Sequence, residues 1–163
     1  MNTQRIQLSE NFYLDEFTRS QEAARLGRVV MVAPESPVFY ALGYLCVEIL
    51  QPTRDTLGPG HISSGFRPHW LNTLIGSSKR SQHPKGEAAD FTVSGHSPYE
   101  VCAWIADSPL PFDQLIYEFG QWVHVSCAIG REPRRQVLTA YYDPRQDKTI
   151  YVPGLHTMEE LAA

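Results

Sequence analysis

Three cysteines in 163 residues, odd in number and scattered along the chain, supply no disulfide framework. Nothing here points to an oxidising compartment or to a small fold stapled by bridges. No stretch approaches the roughly 18 apolar residues that a membrane span requires. The amino terminus, Met1 to Ser9, lacks the apolar centre of a secretory signal, which implies synthesis in the cytoplasm and delivery by some other route if the substrate lies outside. Basic residues are outnumbered by acidic ones, 14 to 18, for a net charge of −4, so no basic face announces a nucleic-acid partner. The one local exception, Arg131, Arg134 and Arg135, reads as a solvated turn. A phosphate-cradling glycine loop, a nucleophile elbow and a His-Glu-x-x-His helix are all missing, which sets aside the chemistries those motifs carry.

What remains is a globular composition, 42% hydrophobic and 11% aromatic, which argues against disorder. The length fits one domain over residues 1–163, with a core that needs no cross-links. Residues 10–27 read as a short docked element followed by a helix that stops at Gly27. Ser36 and Pro37 open the longest helix, to about Leu57, with Val38, Leu42, Leu45 and Ile49 as its apolar stripe. His61 to Phe66 is a strand entering a turn, and Pro68 starts a short helix to about Leu74. A polar loop over 76–86 and a strand over 88–93 follow. The capping box Ser97-Pro-Tyr-Glu100 predicts a helix over 98–107. Strands over 115–118 and 122–127 flank the hairpin signal Phe119-Gly-Gln121, and strands over 138–142 and 149–152 make a second hairpin. Interleaved helices with late hairpins predict an α+β fold, an antiparallel sheet with helices on one side. Cys46 and Cys102 read as small buried hydrophobes. Cys127, with no second ligand beside it, reads as structural.

Two histidines and an aspartate stand out because each sits in an apolar or glycine-bearing context. His83 and Asp90 are seven residues apart, too far for one helical turn, but Gly86 lets the loop fold back so that Asp90 meets His83. In the strand that Asp90 begins, Phe91 and Val93 face the core, and Asp90 and Thr92 the other side. A buried carboxylate there needs a partner. Taken alone, the pair also fits a capped loop with a surface aspartate. His124 shifts the balance. It lies in Trp122-Val-His-Val-Ser126, where alternation sends Val123 and Val125 one way and Trp122, His124 and Ser126 the other. Three nitrogen and oxygen donors that leave a fourth position to water form the ligand set of catalytic zinc, so His83, Asp90 and His124 are the candidate Zn2+ ligands. Water held in that way reaches a pKa of roughly 7, and the chemistry is that of a hydrolase.

Glu118 is the candidate general base, on a condition. If residues 119–121 form the turn, Glu118 opposes Trp122, Ile116 opposes His124, and Glu118 shares the His124 face at a diagonal of roughly 7–8 Å between Cα atoms. A two-residue turn reverses the parity, and Asp113 takes its place. Arg67, in Ser64-Gly-Phe-Arg-Pro68, stands where strand becomes helix and could grip a carboxylate or a developing oxyanion; alone, it reads as a surface arginine. His61, His69, His96 and His156 are assigned no metal.

Together, Ser64-Gly-Phe-Arg-Pro68, Ser81-Gln-His-Pro-Lys-Gly-Glu-Ala-Ala-Asp90 and Trp122-Val-His-Val-Ser126 resemble the zinc D-alanyl-D-alanine carboxypeptidase family. Its members include phage endolysins that cut the peptide stems of peptidoglycan. Glu10-Asn-Phe-Tyr-Leu-Asp-Glu-Phe-Thr-Arg-Ser20 and Tyr151-Val-Pro-Gly-Leu155 are similar to its phage-encoded branch, so the likeness spans nearly the whole chain. The Ser-x-His-x-x-Gly-x-Ala-x-Asp pattern is met at every fixed position. The resemblance implies zinc on His83, Asp90 and His124, an arginine at 67 that orients substrate or steadies the oxyanion, and the small antiparallel sheet flanked by helices shared with the hedgehog signalling domain. It further implies a monomeric lysis enzyme acting on peptidoglycan in the periplasm or cell wall, as carboxypeptidase or endopeptidase. Many relatives place the catalytic acid three residues before the last histidine. Here that position is Gln121, which moves the expected base to Glu118. Gln121 also keeps open another class, a non-catalytic zinc domain that recognises cell-wall peptides or a protein partner.

Overall fold

The computed structural model describes residues 5–163; the reading of the amino terminus rests partly on Met1–Gln4, which lie outside them. A bridge between Gln7 and Tyr13 precedes α1 (Leu14–Thr18) and α2 (Gln21–Arg25). Ser36 caps α3 (Pro37–Leu45) as its sequence predicts, accepting from the Phe39 amide with Pro37 in the first position. The single helix expected to Leu57 is interrupted. A π-helical stretch, Cys46–Leu50, separates α3 from α4 (Gln51–Leu57). Pro52 gives the physical reason: inside a helix it donates no bond and crowds the carbonyl four residues back, and the wider turn before it relieves both.

β1 (Gly60–Ser64) leads to α5 (His69–Leu74), a 3-10 turn (His83–Lys85) and β2 (Ala88–Val93). α6 (Pro98–Asp107) keeps the bounds that its capping box predicts, with Ser97 and Glu100 exchanging bonds. β3 (Phe112–Glu118), which starts earlier than the sequence suggests, is followed by β4 (Trp122–Cys127), β5 (Gln136–Asp143), β6 (Lys148–Pro153) and an unforeseen α7 (Met158–Ala162). The six strands form one sheet in the order β1-β2-β4-β3-β5-β6.

The α+β expectation holds with one correction, since β3 and β5 run parallel and the sheet is mixed. β4 together with residues 128–135 makes the return path, which meets the dozen or more residues that a parallel connection needs. Asp113, at the start of β3, clamps that path. Its fully buried carboxylate accepts two bonds of 2.7 Å from Arg131, one of 2.6 Å from Arg134 Nη2 and one of 2.9 Å from the Arg134 amide. Arg135 donates to the carbonyls of Ser108 and Leu110. The arginines are exposed, as a solvated turn implies, and they serve in addition as a structural clamp on Asp113. Burial alone would raise the Asp113 carboxyl, but the bonds from Arg131 and Arg134 override it and hold the group well below the ordinary carboxylate range. A carboxylate so depressed contributes stability above the unfolded aspartate pKa of roughly 3.9, and the contribution is lost as pH falls toward the folded value. Asp113→Asn should lower the unfolding free energy by about 1–3 kcal/mol at neutral pH. Denaturant unfolding repeated at about pH 3 should show a narrower gap between variant and wild type; an unchanged gap would mean that the charge is not what the clamp uses.

Odd-numbered residues of the central strands, among them Ala89, Phe91, Leu115, Val123 and Val125, pack with Leu42, Leu45, Ile49, Val101 and Ile105 in the main core. Burying each large apolar side chain contributes about 1.5–3 kcal/mol, and a one-residue slip would turn the whole set to the other face. The register is thereby fixed, and the even-numbered residues are committed to the opposite face. Cys46, Cys102 and Cys127 are free and buried. Cys127 lies on the core side, away from His124, and burial pushes its thiol up to about 12. No described helix is long and apolar enough to cross a membrane.

Candidate metal centre

Two glycines bring His83 to the even-numbered face. The 3-10 turn ends at Gly86, whose φ is +72° and where a Cβ would stand 2.7 Å from the Val38 carbonyl oxygen. Only glycine lets the turn lie so close to α3. At Gly65 a Cβ would stand 2.6 Å from the Phe17 Cα, and the Gly65 carbonyl lies 2.6 Å from His83 Nδ1. A carbonyl only accepts, so Nδ1 carries the proton and Nε2 presents its lone pair. That Nε2 is buried without a hydrogen-bond partner. It faces Asp90 Oδ1 at 3.3 Å, and the same oxygen is 2.8 Å from Nδ1 of His124, directly across the β2–β4 register.

Burial alone would raise Asp90, but the hydrogen bond and charge of the His124 ring hold it below the ordinary carboxylate range. Burial lowers His83 and favours its neutral ring. His124 is raised: burial opposes the charge, and the bond to Asp90 prevails. The three side chains offer donor atoms within 4.8 Å of one another. Around a tetrahedral zinc with bonds of 2.0–2.2 Å, donors stand roughly 3.3–3.6 Å apart. The spacings of 3.3 and 2.8 Å approach that set, and a cation would displace the proton that His124 and Asp90 share. The chemistry of the donors and the partnerless buried nitrogen both fit such an ion.

Glu118 depends on the turn, and the turn has three residues. Phe119 and Gly120 take φ of +55° and +70°, and the Gln121 amide donates to the Glu118 carbonyl at 2.9 Å. Glu118 consequently pairs with Trp122, and Ile116 with His124. Glu118 shares the face of His124. Trp122 Nε1 donates to Glu118 Oε2 at 2.9 Å. Burial raises the Glu118 carboxyl, and the charge of Asp90 adds to the rise. The alternative, Asp113, has its carboxylate engaged by two arginines. Gln121 lies exposed in the turn.

Arg67 is tied to the 3-10 turn of His83 by its amide, which donates to the His83 carbonyl at 3.3 Å. Its side chain is not on the open surface. Nε is buried without a partner, and the residue lines one cleft with Glu22, Ser63, Asp90 and Trp122. Burial lowers the guanidinium, while the charges of Asp90 and Glu118 oppose the shift. His61 lines the same cleft without joining the donor set. Sequence reasoning placed Trp122 on this face but gave it no task. An aromatic residue at a strand start cannot be told from packing until its neighbour, here the Glu118 carboxylate, is known.

A family model described as Peptidase M15 matches residues 10–126. The match contains Arg67, His83, Asp90, Glu118 and His124 and ends before β5. No curated protein matches the chain.

Proposed function

The chain belongs to the peptidase M15 family, and on that premise we propose that it is a zinc metallopeptidase hydrolysing peptide bonds in the stems of peptidoglycan. The observation that carries the reading is the partnerless, buried Nε2 of His83 meeting Asp90 and His124. His83, Asp90 and His124 would hold the ion. A bound zinc supplies Lewis-acid polarisation of the scissile carbonyl and of the attacking water. Glu118 takes a proton from that water as its oxygen bonds to the carbonyl carbon, and returns it to the amide nitrogen as the C–N bond breaks. The bond from Trp122 holds the Glu118 carboxylate in one orientation during both transfers. Arg67 receives the negative charge that develops on the carbonyl oxygen, or a carboxylate of the substrate.

Gln121 keeps open a zinc domain that only recognises cell-wall peptides or a protein partner. The position of Glu118 on the His124 face favours the enzyme. The likeness of the terminal segments to phage relatives supports a phage or prophage lysis enzyme, acting as a monomer in the periplasm or cell wall or from the phage particle. The scissile bond is a D-Ala-D-Ala bond or another stem bond, cut as carboxypeptidase or endopeptidase. A chelator should abolish hydrolysis of stem peptides and added zinc should restore it. Hydrolysis that survives in metal-free protein would overturn the reading.

Arg67→Lys separates two roles. Lysine cannot copy the planar fork of a guanidinium, so zinc content should stay unchanged while kcat/KM falls by about tenfold or more, roughly 1.4 kcal/mol of transition-state stabilisation. A loss in kcat assigns Arg67 to the oxyanion, and a loss in KM to a substrate carboxylate. Wild-type values of both constants would remove Arg67 from the site.

A further inference from the structure

β5 and β6 lie beyond the family match, yet they extend the face that carries the site. The register runs Trp122–Glu118–Ala140–Tyr151 across four neighbouring strands. Directly paired residues share a face, so Tyr151 stands on the Glu118 side. Two strand spacings of roughly 4.8 Å place its Cα about 10 Å from that of Glu118. Ala140, between them, is fully buried. Tyr142 lies on the same face, diagonal to Tyr151 through the Tyr142–Thr149 pair and roughly 7–8 Å away. Tyr151 is 53% exposed and Tyr142 52%, so two phenol rings stand open beside the site. Asp147 accepts a bond from the Tyr142 hydroxyl. Burial raises the Tyr151 phenol, and the charges of Glu118 and Asp90 add to the rise, in keeping with their nearness.

The two sides of the site differ in chemistry. The cleft toward β1 contains Arg19, Glu22 and Arg67, which suit the carboxylates and amines of a peptide. The β5–β6 part of the face presents Leu138, Ala140, Tyr142, Thr149, Tyr151 and Pro153, none of them charged, with the Asp147 carboxylate at the Tyr142 hydroxyl able to accept from a ligand hydroxyl. An uncharged N-acetylated pyranose matches that surface, its C–H face against the rings and its hydroxyls toward the phenol oxygens. We propose that Tyr142 and Tyr151 form a sugar-binding shelf that holds the glycan end of the substrate, an inference that rests on the peptidoglycan reading. Chain reach makes it restrictive. At about 3.3–3.6 Å per fully extended residue, a sugar held roughly 10 Å from Glu118 needs at least about three residues between it and the scissile bond.

The test uses a β-1,4-linked N-acetylglucosamine tetramer, which has no stem to cut, titrated into the zinc-loaded protein and followed by NMR. Signals of the Tyr142 and Tyr151 rings and of the β5–β6 amides should shift. Tyr151→Ala should weaken binding by about threefold to tenfold, the scale of one aromatic contact, and Tyr151→Phe should largely keep it. Melting temperatures show that both variants are folded. In parallel, the preference of wild type for a disaccharide-bearing stem over a bare stem, as a ratio of kcat/KM, should fall toward unity in Tyr151→Ala. A tetramer that shifts no β5–β6 signal overturns the proposal. Equal loss on both stems also overturns it, because the shelf then receives peptide. Tetramer binding through the tyrosines by a protein that cuts no stem would leave the shelf standing and remove the peptidase reading, and cleavage without sugar binding would do the reverse.

Discussion

Glu118→Gln is expected to leave the fold and the metal content intact and to lower turnover by about two to four orders of magnitude, the scale of a general acid–base residue. Glutamine keeps the volume of the side chain and an oxygen able to accept from Trp122 Nε1, so the local packing is preserved. It loses only the ability to take and return a proton. The proposed base is a carboxylate on the His124 face, a condition that Glu118 meets, while Asp113 is held by Arg131 and Arg134. Steady-state rates measured with zinc content on the same samples decide the point. Near wild-type turnover in zinc-loaded Glu118→Gln would take the proton transfer away from this residue.

The second large effect is on the metal. His83→Ala combined with His124→Ala should remove the ion and all turnover above background, against about one zinc per chain in wild type, because a lone carboxylate is left of three donors. The double variant also strands Asp90 as a buried anion, and an uncompensated buried charge costs about 3–5 kcal/mol. Asp90→Asn provides the complementary variant, nearly the same in shape and without that charge, and should lose most of the zinc while staying folded. Elemental analysis beside a melting curve reads both. Full zinc retention in the folded double variant would place the metal elsewhere.

The convergence of His83, Asp90 and His124 was legible because each member breaks its surroundings. A histidine alternating with valines at 123 and 125, and an aspartate inside a mostly apolar strand, are expensive choices without a partner, and Gly86 supplies the fold-back that joins them. The face that Glu118 occupies was legible only conditionally. Its face hangs on the length of one turn, which left-handed backbone at Phe119 and Gly120 settles. Strand order was not legible. Nothing local tells that β5 passes beyond β3 and pairs parallel to it, so neither the grip of Arg131 and Arg134 on Asp113 nor the nearness of Tyr151 to Glu118 follows from the sequence. The break in the long helix had its signal in Pro52. Thr157 and Glu160 offered the capping box of α7, a helix too short to show an apolar period.

Mass spectrometry of defined muropeptides after incubation with the zinc-loaded protein tests the central claim most directly. The account predicts addition of one water across a peptide bond of the stem, with a new amino and a new carboxyl end, and no such product from Glu118→Gln. Stems that remain intact in the presence of folded, zinc-loaded wild type would contradict it.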